Sequence, residues 1–502
     1  MLLLKGMVSQ KKPEKRWEKL LWELGKDKAF FYVTLDPERA LGLEDILPNY
    51  TIICPYKSQF VYNLRDRVNC IQVFVLEEHL SAEEVKRIVE RGTYGILQSD
   101  LVKSYINTIC HIFLDRERYD KNKKGAWKEK KAQIIVLKNS QLVENFCSKQ
   151  GWKLLAPKAK VAEQFENKIS QYRLLNDIVP YPKSFITNLG EMHEKIKEAG
   201  CFRDFKGESF AFTIRGLKRS PPCVERKQLA ALALSDTLVL QFNRGHSGNS
   251  TYFIKSRGDL EKLYKLFPNR QCKISQYIKG TTYTLNCVVL KNGEVITGSL
   301  SEQITGLKSA TNNPNTTCGN DFSSPGSLKK ARVKRIQEIA RKVGKVLHKK
   351  DYRGLFGIDV IIENSSGRIY FIEVNTHQPA SISFEAKLHR KIGKMPLLAY
   401  LMLDYMGCPT PHIGNPPIIL PFFAKQIIYR NKSSKALTLN DVEKTHKDKG
   451  LLARIKYIKP NEEIYRVQKL KGFEICRPTS SGEPRPLLGG TFVSLREIFM
   501  RF

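Results

Sequence analysis

The chain is predicted to be an α/β protein that closes in a small β-rich unit, on three observations. Short apolar strand-like runs alternate with helical patterns over residues 28–155. A β-rich middle with glycine turns then leads into one long amphipathic helix at 328–348, and beyond about 408 only short strands and turns are legible. With 502 residues and 41% hydrophobic content, the chain can bury a large core and exceeds one typical domain, so about three or four units are expected.

The elements can be justified in order. "AFFYVTL", "YTIICPY", "NCIQVFVL", "YGILQS" and "AQIIVLKN" are β-rich runs, and "SAEEVKRIVERG" between them carries a Ser cap, early acids and a closing Gly, the marks of a helix. Such alternation argues for an open α/β sheet of Rossmann-like type. No G-x-G-x-x-G follows the first strand, so no dinucleotide site is assigned to it. "AEQFENKISQYRLLNDI" (162–178) is expected as a helix ending before "VPYPKSF", where two prolines start an extended segment. Residues 200–300 are β-rich. In the helix at 328–348, Val333, Ile336, Ile339, Val343 and Val346 share one stripe. A further helix is expected near 383–406, and after "CPTPHIGNPP" (408–417) a small β-rich appendix.

Composition narrows the class. The longest apolar stretches, such as "PLLAYLML" at 396–403, fall far short of the ~20 residues of a membrane span. "MLLLKGMVSQKK" has too small an apolar centre for a signal peptide. The 11 cysteines are scattered with no C-x-x-C pair, which suggests neither a zinc cluster nor a disulfide framework. A soluble protein of a reducing, cytoplasmic compartment is expected, without a membrane partner. The formal net charge of +34 would attract nucleotides, other polyanions or nucleic acid. Its one concentrated run, "RERYDKNKKGAWKEKK" (116–131), sits in no nucleic-acid motif, so basic residues on solvated helix faces are the preferred explanation.

Against this basic background, "FGIDVIIENSSGRIYFIEVNTH" (356–377) is unusual. Two apolar strands flank a turn, yet Asp359, Glu373 and Asn375 interrupt them. Strand side chains alternate, so Glu373 and Asn375 leave one face. A three-residue loop with Gly367 left-handed would set Asn364 opposite Arg368, and therefore Asp359 opposite Glu373. Opposed carboxylates destabilise a sheet unless a positive group sits between them. Mg²⁺ suits such hard oxygen donors and commonly bridges protein carboxylates to nucleotide phosphates. Acids that merely face water are the plainer alternative, which the trio in register makes the weaker one.

Two further stretches could serve a nucleotide. In "LVLQFNRGHSGNSTYFI" (238–254), Gly245 and Gly248 with Ser247, Asn249, Ser250 and Thr251 could aim N–H groups and hydroxyls at phosphate oxygens, and Arg244 could add charge. The same loop would pass for an ordinary hairpin turn. In "ISQYIKGTTYTLNCVVLKNGEVI" (274–296), the backbone of Gln276, Tyr277 and Ile278 could bond adenine edges, or be a plain strand.

The order of these motifs, an Asn-Lys helix, a glycine loop between strands, "QYIKG", then the acidic hairpin ending "EVN", resembles the ATP-grasp superfamily, especially its carboxylate–amine ligase branch. The resemblance covers roughly 156–405 and rests on "NKISQYRLL", "RGHSGNST" and "GIDVIIENSSGRIYFIEVN". It implies an α+β ATP-grasp fold at 156–407 with a nucleotide lid at about 183–275, behind a pre-ATP-grasp-like unit at 1–155 and before the appendix at 408–502. It further implies ATP with Mg²⁺ (or Mn²⁺) as cofactors and Asp359, Glu373 and Asn375 as metal ligands. Lys168 would reach the phosphates, residues 245–251 would form the lid over them, and Gln276, Tyr277 and Ile278 would be the adenine hinge. The sequence departs from the family at three places. Gln241 stands where a second phosphate-binding lysine is usual. "GTTYT" lacks the ribose carboxylate often found near Thr282. His377 replaces an arginine, for which Arg353, Arg244 or Lys308 could substitute.

The resemblance implies a two-step ligase in which a carboxylate takes the γ-phosphoryl group and an amine then displaces phosphate, with small-molecule acid and amine partners. "SEQITG" (301–306) and "NTTCGNDF" (315–322) fall between hinge and hairpin and are expected either at the substrate pocket or in plain loops. Two other readings stand beside it. One is a kinase of the same fold acting on a hydroxyl or small polyanion. The other is a non-catalytic nucleotide- or nucleic-acid-binding protein. Oligomeric state stays open, with a dimer among the options.

Overall fold

The computed structural model describes residues 16–58, 61–62, 64–65, 72–118, 132–198, 237–243, 251–408, 415–438, 441, 457–458, 463–470 and 473–478. The chain opens with five parallel strands, β1 (Ala29–Val33), β2 (Tyr50–Cys54), β3 (Gln72–Val75), β4 (Ala132–Val136) and β5 (Lys153–Leu154), ordered β3-β2-β1-β4-β5. Every residue of β1, β2 and β4 is buried, which is why these strands read as unbroken apolar runs. The helix Ala82–Glu90 starts at a capping box between Ser81 and Glu84. "YGILQS" is not a strand: it lies in the helix Gly92–Gln98, which buries Ile96 and Leu97 against Phe31 and Val33. A short apolar run cannot by itself be told from a buried helical turn. The basic run at 116–131 lies mostly outside the described residues.

Next come four antiparallel strands, β6 (Ser184–Asn188), β7 (Leu238–Phe242), β8 (Thr251–Ile254) and β9 (Gln271–Gln276), ordered β6-β9-β7-β8. They hold a small core of their own, with Leu240, Phe242 and Ile274 under Leu260 and Leu263. The third sheet has eight antiparallel strands. β10 (Gly280–Val289), β11 (Val295–Thr305), β12 (Thr317–Asp321), β13 (Gly354–Glu363) and β14 (Ile369–Asn375) form one side. β15 (Ala424–Arg430) follows, then a two-stranded pair, β16 (Leu437–Thr438) with β17 (Tyr457–Ile458), and finally β18 (Glu463–Leu470) and β19 (Phe473–Pro478). The order is β14-β13-β10-β11-β12-β15-β18-β19, so strands beyond residue 408 extend this same sheet.

The helix Lys330–Lys349 lies on that sheet through Val333, Ile336, Ile339, Val343 and Leu347, with Val346 half-buried at the stripe's edge. "PLLAYLML" belongs to the helix Leu397–Tyr405, apolar all round because it is wedged between Phe30 and Ile52 of the parallel sheet and Val288 and Leu355 of the antiparallel one. Among the described residues no helix is long and apolar enough to cross a membrane.

Candidate nucleotide and metal site

The acidic hairpin pairs Asp359 with Glu373 and Gly357 with Asn375. The turn differs from expectation. Glu363, not Asn364, opposes Arg368, and Gly367, at φ +68, donates to the Glu363 carbonyl at 2.8 Å. That shift alone would misplace the acids. A β-bulge cancels it, because Val360 pairs with Phe371 while Asp359 pairs with Glu373, leaving Ile372 as the extra residue.

Lys168 reaches this patch and forms an ion pair with Glu373. It can do so because the helix expected over 162–178 is broken at Asn167, whose extended backbone ends Ala159–Glu166 and begins Lys168–Leu175. The Asn167 side chain caps the new helix by accepting from the Ser170 N–H at 3.0 Å. Asn243 at the end of β7 holds the same turn, accepting from Lys168 N at 3.1 Å and from Ile169 N at 3.2 Å. Buried Gln171 docks the helix on β14, donating to the Val374 carbonyl at 2.9 Å and accepting from its N–H at 3.2 Å.

The electrostatics follow from burial. Asp359 is 8% exposed, and burial together with the facing Glu373 pushes its carboxyl up to about 7. Burial pushes Glu373 up as well, but the Lys168 ammonium outweighs it and holds this carboxyl below its ordinary value. Burial lowers Lys168, and its neighbouring carboxylates more than restore it. Asp359 accepts from the Thr284 hydroxyl at 2.7 Å and from the Asn375 amide at 3.3 Å.

Two carboxylates and an amide oxygen are hard donors, and the pair already calls for a shared proton and a lysine to neutralise it. A divalent cation such as Mg²⁺ therefore fits the donor set. Among the described residues, no group of three His, Cys, Asp or Glu side chains gathers to hold a metal, so the third donor here is the Asn375 amide.

A polar row runs into the site from the sheet. Gln303 donates to the Thr284 hydroxyl at 2.6 Å, Asn320 donates to the Ser301 hydroxyl at 3.0 Å, and that hydroxyl donates to the Thr284 carbonyl at 3.4 Å. "SEQITG" and "NTTCGNDF" are thus mostly strand, in β11 and β12, rather than loops.

The remaining candidates divide. His377 Nδ1 lies 2.6 Å from Glu166 Oε1, which also accepts from Thr376 N at 2.8 Å; the other oxygen of Glu166 takes Lys138 at 3.0 Å. Burial alone would raise Glu166, yet His377 and Lys138 hold it well below the usual carboxylate range. Gln241 is buried and donates to the Thr251 hydroxyl at 3.3 Å. In the hinge, the Gln276 and Tyr277 N–H groups are taken by the carbonyls of Lys183 (2.9 Å) and Thr237 (3.3 Å). Ile278 alone keeps an N–H that no described residue claims.

Arg353 lies elsewhere. It is bound to Asp404 through side chain and carbonyl, and stacks 4.4 Å from the Tyr405 ring. It is six residues, about 20 Å of strand, from Asp359. Lys308 is exposed after β11. Arg244, Gly245, Ser247, Gly248, Asn249 and Ser250 fall outside the described residues. Sequence reasoning missed Glu166, Gln171, Asn243, Thr284 and Lys273. The only signal was the adjacency of Glu166 and Asn167 to Lys168.

Two antiparallel sheets are joined at the Gln276–Gly280 link, with lysines and acids gathered where they meet. Residues 212–380 match the sequence model described as the ATP-grasp domain. That match covers about a third of the chain, and the fold is the ATP-grasp fold behind an N-terminal parallel sheet. Among solved structures it is similar to N5-carboxyaminoimidazole synthetase from Staphylococcus aureus, with 10% identity, TM-score 0.50, and 89% of this chain and 94% of that one covered. It is similar to N5-carboxyaminoimidazole synthase from Aspergillus clavatus in complex with ADP and aminoimidazole ribonucleotide, with 11% identity, TM-score 0.50, and 89% and 95% covered. The biotin carboxylase domain of Hydrogenobacter thermophilus 2-oxoglutarate carboxylase, solved with MgADP and bicarbonate, gives 11% identity, TM-score 0.50, and 88% and 86% covered. At these identities the likeness is one of fold. No curated protein sequence matches the chain.

Proposed function

We propose that this protein is an ATP- and Mg²⁺-dependent carboxylate–amine ligase working through an acyl-phosphate. The observation that carries this reading is the meeting of Asp359, Glu373 and Asn375 with Lys168 on one patch, beside a hinge whose Ile278 N–H is unclaimed among the described residues. The ADP in two structures of like fold supports the choice of nucleotide. A substrate carboxylate oxygen attacks the γ-phosphorus and the bond to ADP breaks. An amine lone pair then attacks the acyl carbon, the bond to phosphate breaks, and the leaving phosphate takes the amine proton. Bound at Asp359, Glu373 and Asn375, a magnesium ion supplies charge neutralisation for the phosphate oxygens. Lys168 adds a second positive charge on the same side, and Thr284 fixes the orientation of Asp359 through its hydrogen bond. His377, oriented by Glu166, stands next to the metal strand and would face the substrate end. No nucleophilic side chain is required. The test is ADP release over paired carboxylates and amines. Release that needs both partners and disappears in Glu373→Gln supports the reading, and identical release in the two proteins overturns it.

A further inference from the structure

Lys273 sits in the interior of β9, only 4% exposed, in a strand where an apolar residue would cost less. The register of the four-stranded sheet pairs Gln241 with Lys273 on one side and with Thr251 on the other. Directly paired residues project from the same face, so Lys273, Gln241 and Thr251 form one row across β9, β7 and β8. Asn243 and Thr251 bound the glycine-containing segment 244–250, so Thr251 of this row directly follows it in sequence.

The ammonium of Lys273 has ring faces for neighbours, Tyr181 at 5.2 Å and Tyr172 at 5.9 Å. No carboxylate or carbonyl among the described residues lies within hydrogen-bonding distance of it. Burial, with the nearby Lys168 charge, pushes it down to about 7. Lys168 spends its own charge on Glu373, and Glu373 attracts Lys273 only at longer range. A buried cation without an anion is costly, and a fold keeps one where a ligand completes the pair. Gln241 can donate a hydrogen bond to such a ligand but brings no charge.

We infer that Lys273 is a phosphate-contacting residue for the bound nucleotide, supplying from β9 the charge that Gln241 on β7 does not. The inference rests on the ATP reading of the site and extends it to a residue on the neighbouring strand. Gln241 and Thr251 then act beside it as neutral donors on the same row, and the tyrosine rings flank the ammonium.

The test compares wild type, Lys273→Gln, Lys273→Arg and the swap Gln241→Lys with Lys273→Gln, each titrated with MgATP by calorimetry and melted with and without it. The swap keeps one lysine in the cross-strand row. Expected is a loss of MgATP affinity of about tenfold or more in Lys273→Gln, from one lost charged hydrogen bond. Lys273→Arg and the swap should recover much of it. The unliganded Lys273→Gln protein should melt at the same temperature or higher, because a buried unpaired charge has gone, while its nucleotide-induced rise shrinks. Equal affinity of Lys273→Gln and wild type overturns the assignment, as does a lower unliganded melting point with affinity intact, which marks a packing role. Wild type that binds no MgATP overturns the ATP reading and this inference together.

Discussion

At the scale of the residue, the site works by placing charges where burial makes them matter. Lys168 and Glu373 form a partly buried pair, and removing one partner leaves the other charge stranded. Lys168→Met is expected to cost about 2 kcal/mol in urea denaturation and to raise the Glu373 carboxyl, because burial alone pushes it up. An unchanged stability would show that the pair is solvated. A second buried cluster lies away from the site. Glu385 accepts from Asn286 at 2.6 Å and from the Ser299 N–H at 2.5 Å, and His389 Nε2 lies 2.9 Å from the Ser299 hydroxyl. Burial pushes Glu385 from its ordinary 4.5 up to about 8, and pushes His389 from 6.5 down to about 3. Between pH 4.5 and 8 the folded chain keeps a Glu385 proton that the unfolded chain has lost, so the contribution of Glu385 to stability falls as pH rises through that window. His389 acts in the opposite sense, but only between about 3 and 6.5, so above 6.5 Glu385 acts alone. Glu385→Gln should therefore gain on wild type by about 3 kcal/mol between pH 5 and pH 8 in paired urea titrations. A difference that stays flat across that range would mean that Glu385 titrates normally.

At the scale of the element, caps and bulges set where the charges point. Asn167 ends one helix and starts the next, which puts Lys168 in a first turn facing Glu373. Asn167→Ala should lose about 1 kcal/mol of stability by denaturant titration and weaken MgATP binding in parallel. Retained affinity would separate the cap from the site. Much of the hairpin was legible, since the alternation of Glu373 and Asn375 and the need for Gly367 both follow from strand and turn chemistry. The opposition of Asp359 to Glu373 was reached through a turn one residue out, and Ile372 restores it by a bulge that no local residue preference announces. Lys273 was invisible for a different reason. In "QCKISQ" it alternates like a residue on a solvated face, and only its partners on β7 and its burial reveal otherwise. "YGILQS" misled because four apolar-leaning residues fit a strand or a helical turn equally.

At the scale of the whole molecule, the parallel sheet and the eight-stranded sheet are tied by a shared core and by a buried ionic contact. Arg466 of β18, 1% exposed, lies 3.0 Å from Glu38 and 3.5 Å from Asp36, which follow β1. The strands beyond residue 408 are thereby fastened to the N-terminal unit as well as to β12. Glu38→Gln should lower the unfolding free energy by about 2 kcal/mol, read by denaturant titration, since Arg466 stays buried with one carboxylate fewer. The helix Leu397–Tyr405 packs against both the parallel and the eight-stranded antiparallel sheet and so joins the two. The net charge of +34 would favour the approach of a polyanion, while the balance of the site itself is set by a few buried groups. The most direct test of the central claim is calorimetric titration of wild type and Glu373→Gln with ATP, in Mg²⁺ and in EDTA. Binding that requires Mg²⁺ in wild type and weakens by about tenfold or more in Glu373→Gln is the expected result. Equal binding by the two proteins, or binding indifferent to EDTA, would contradict it.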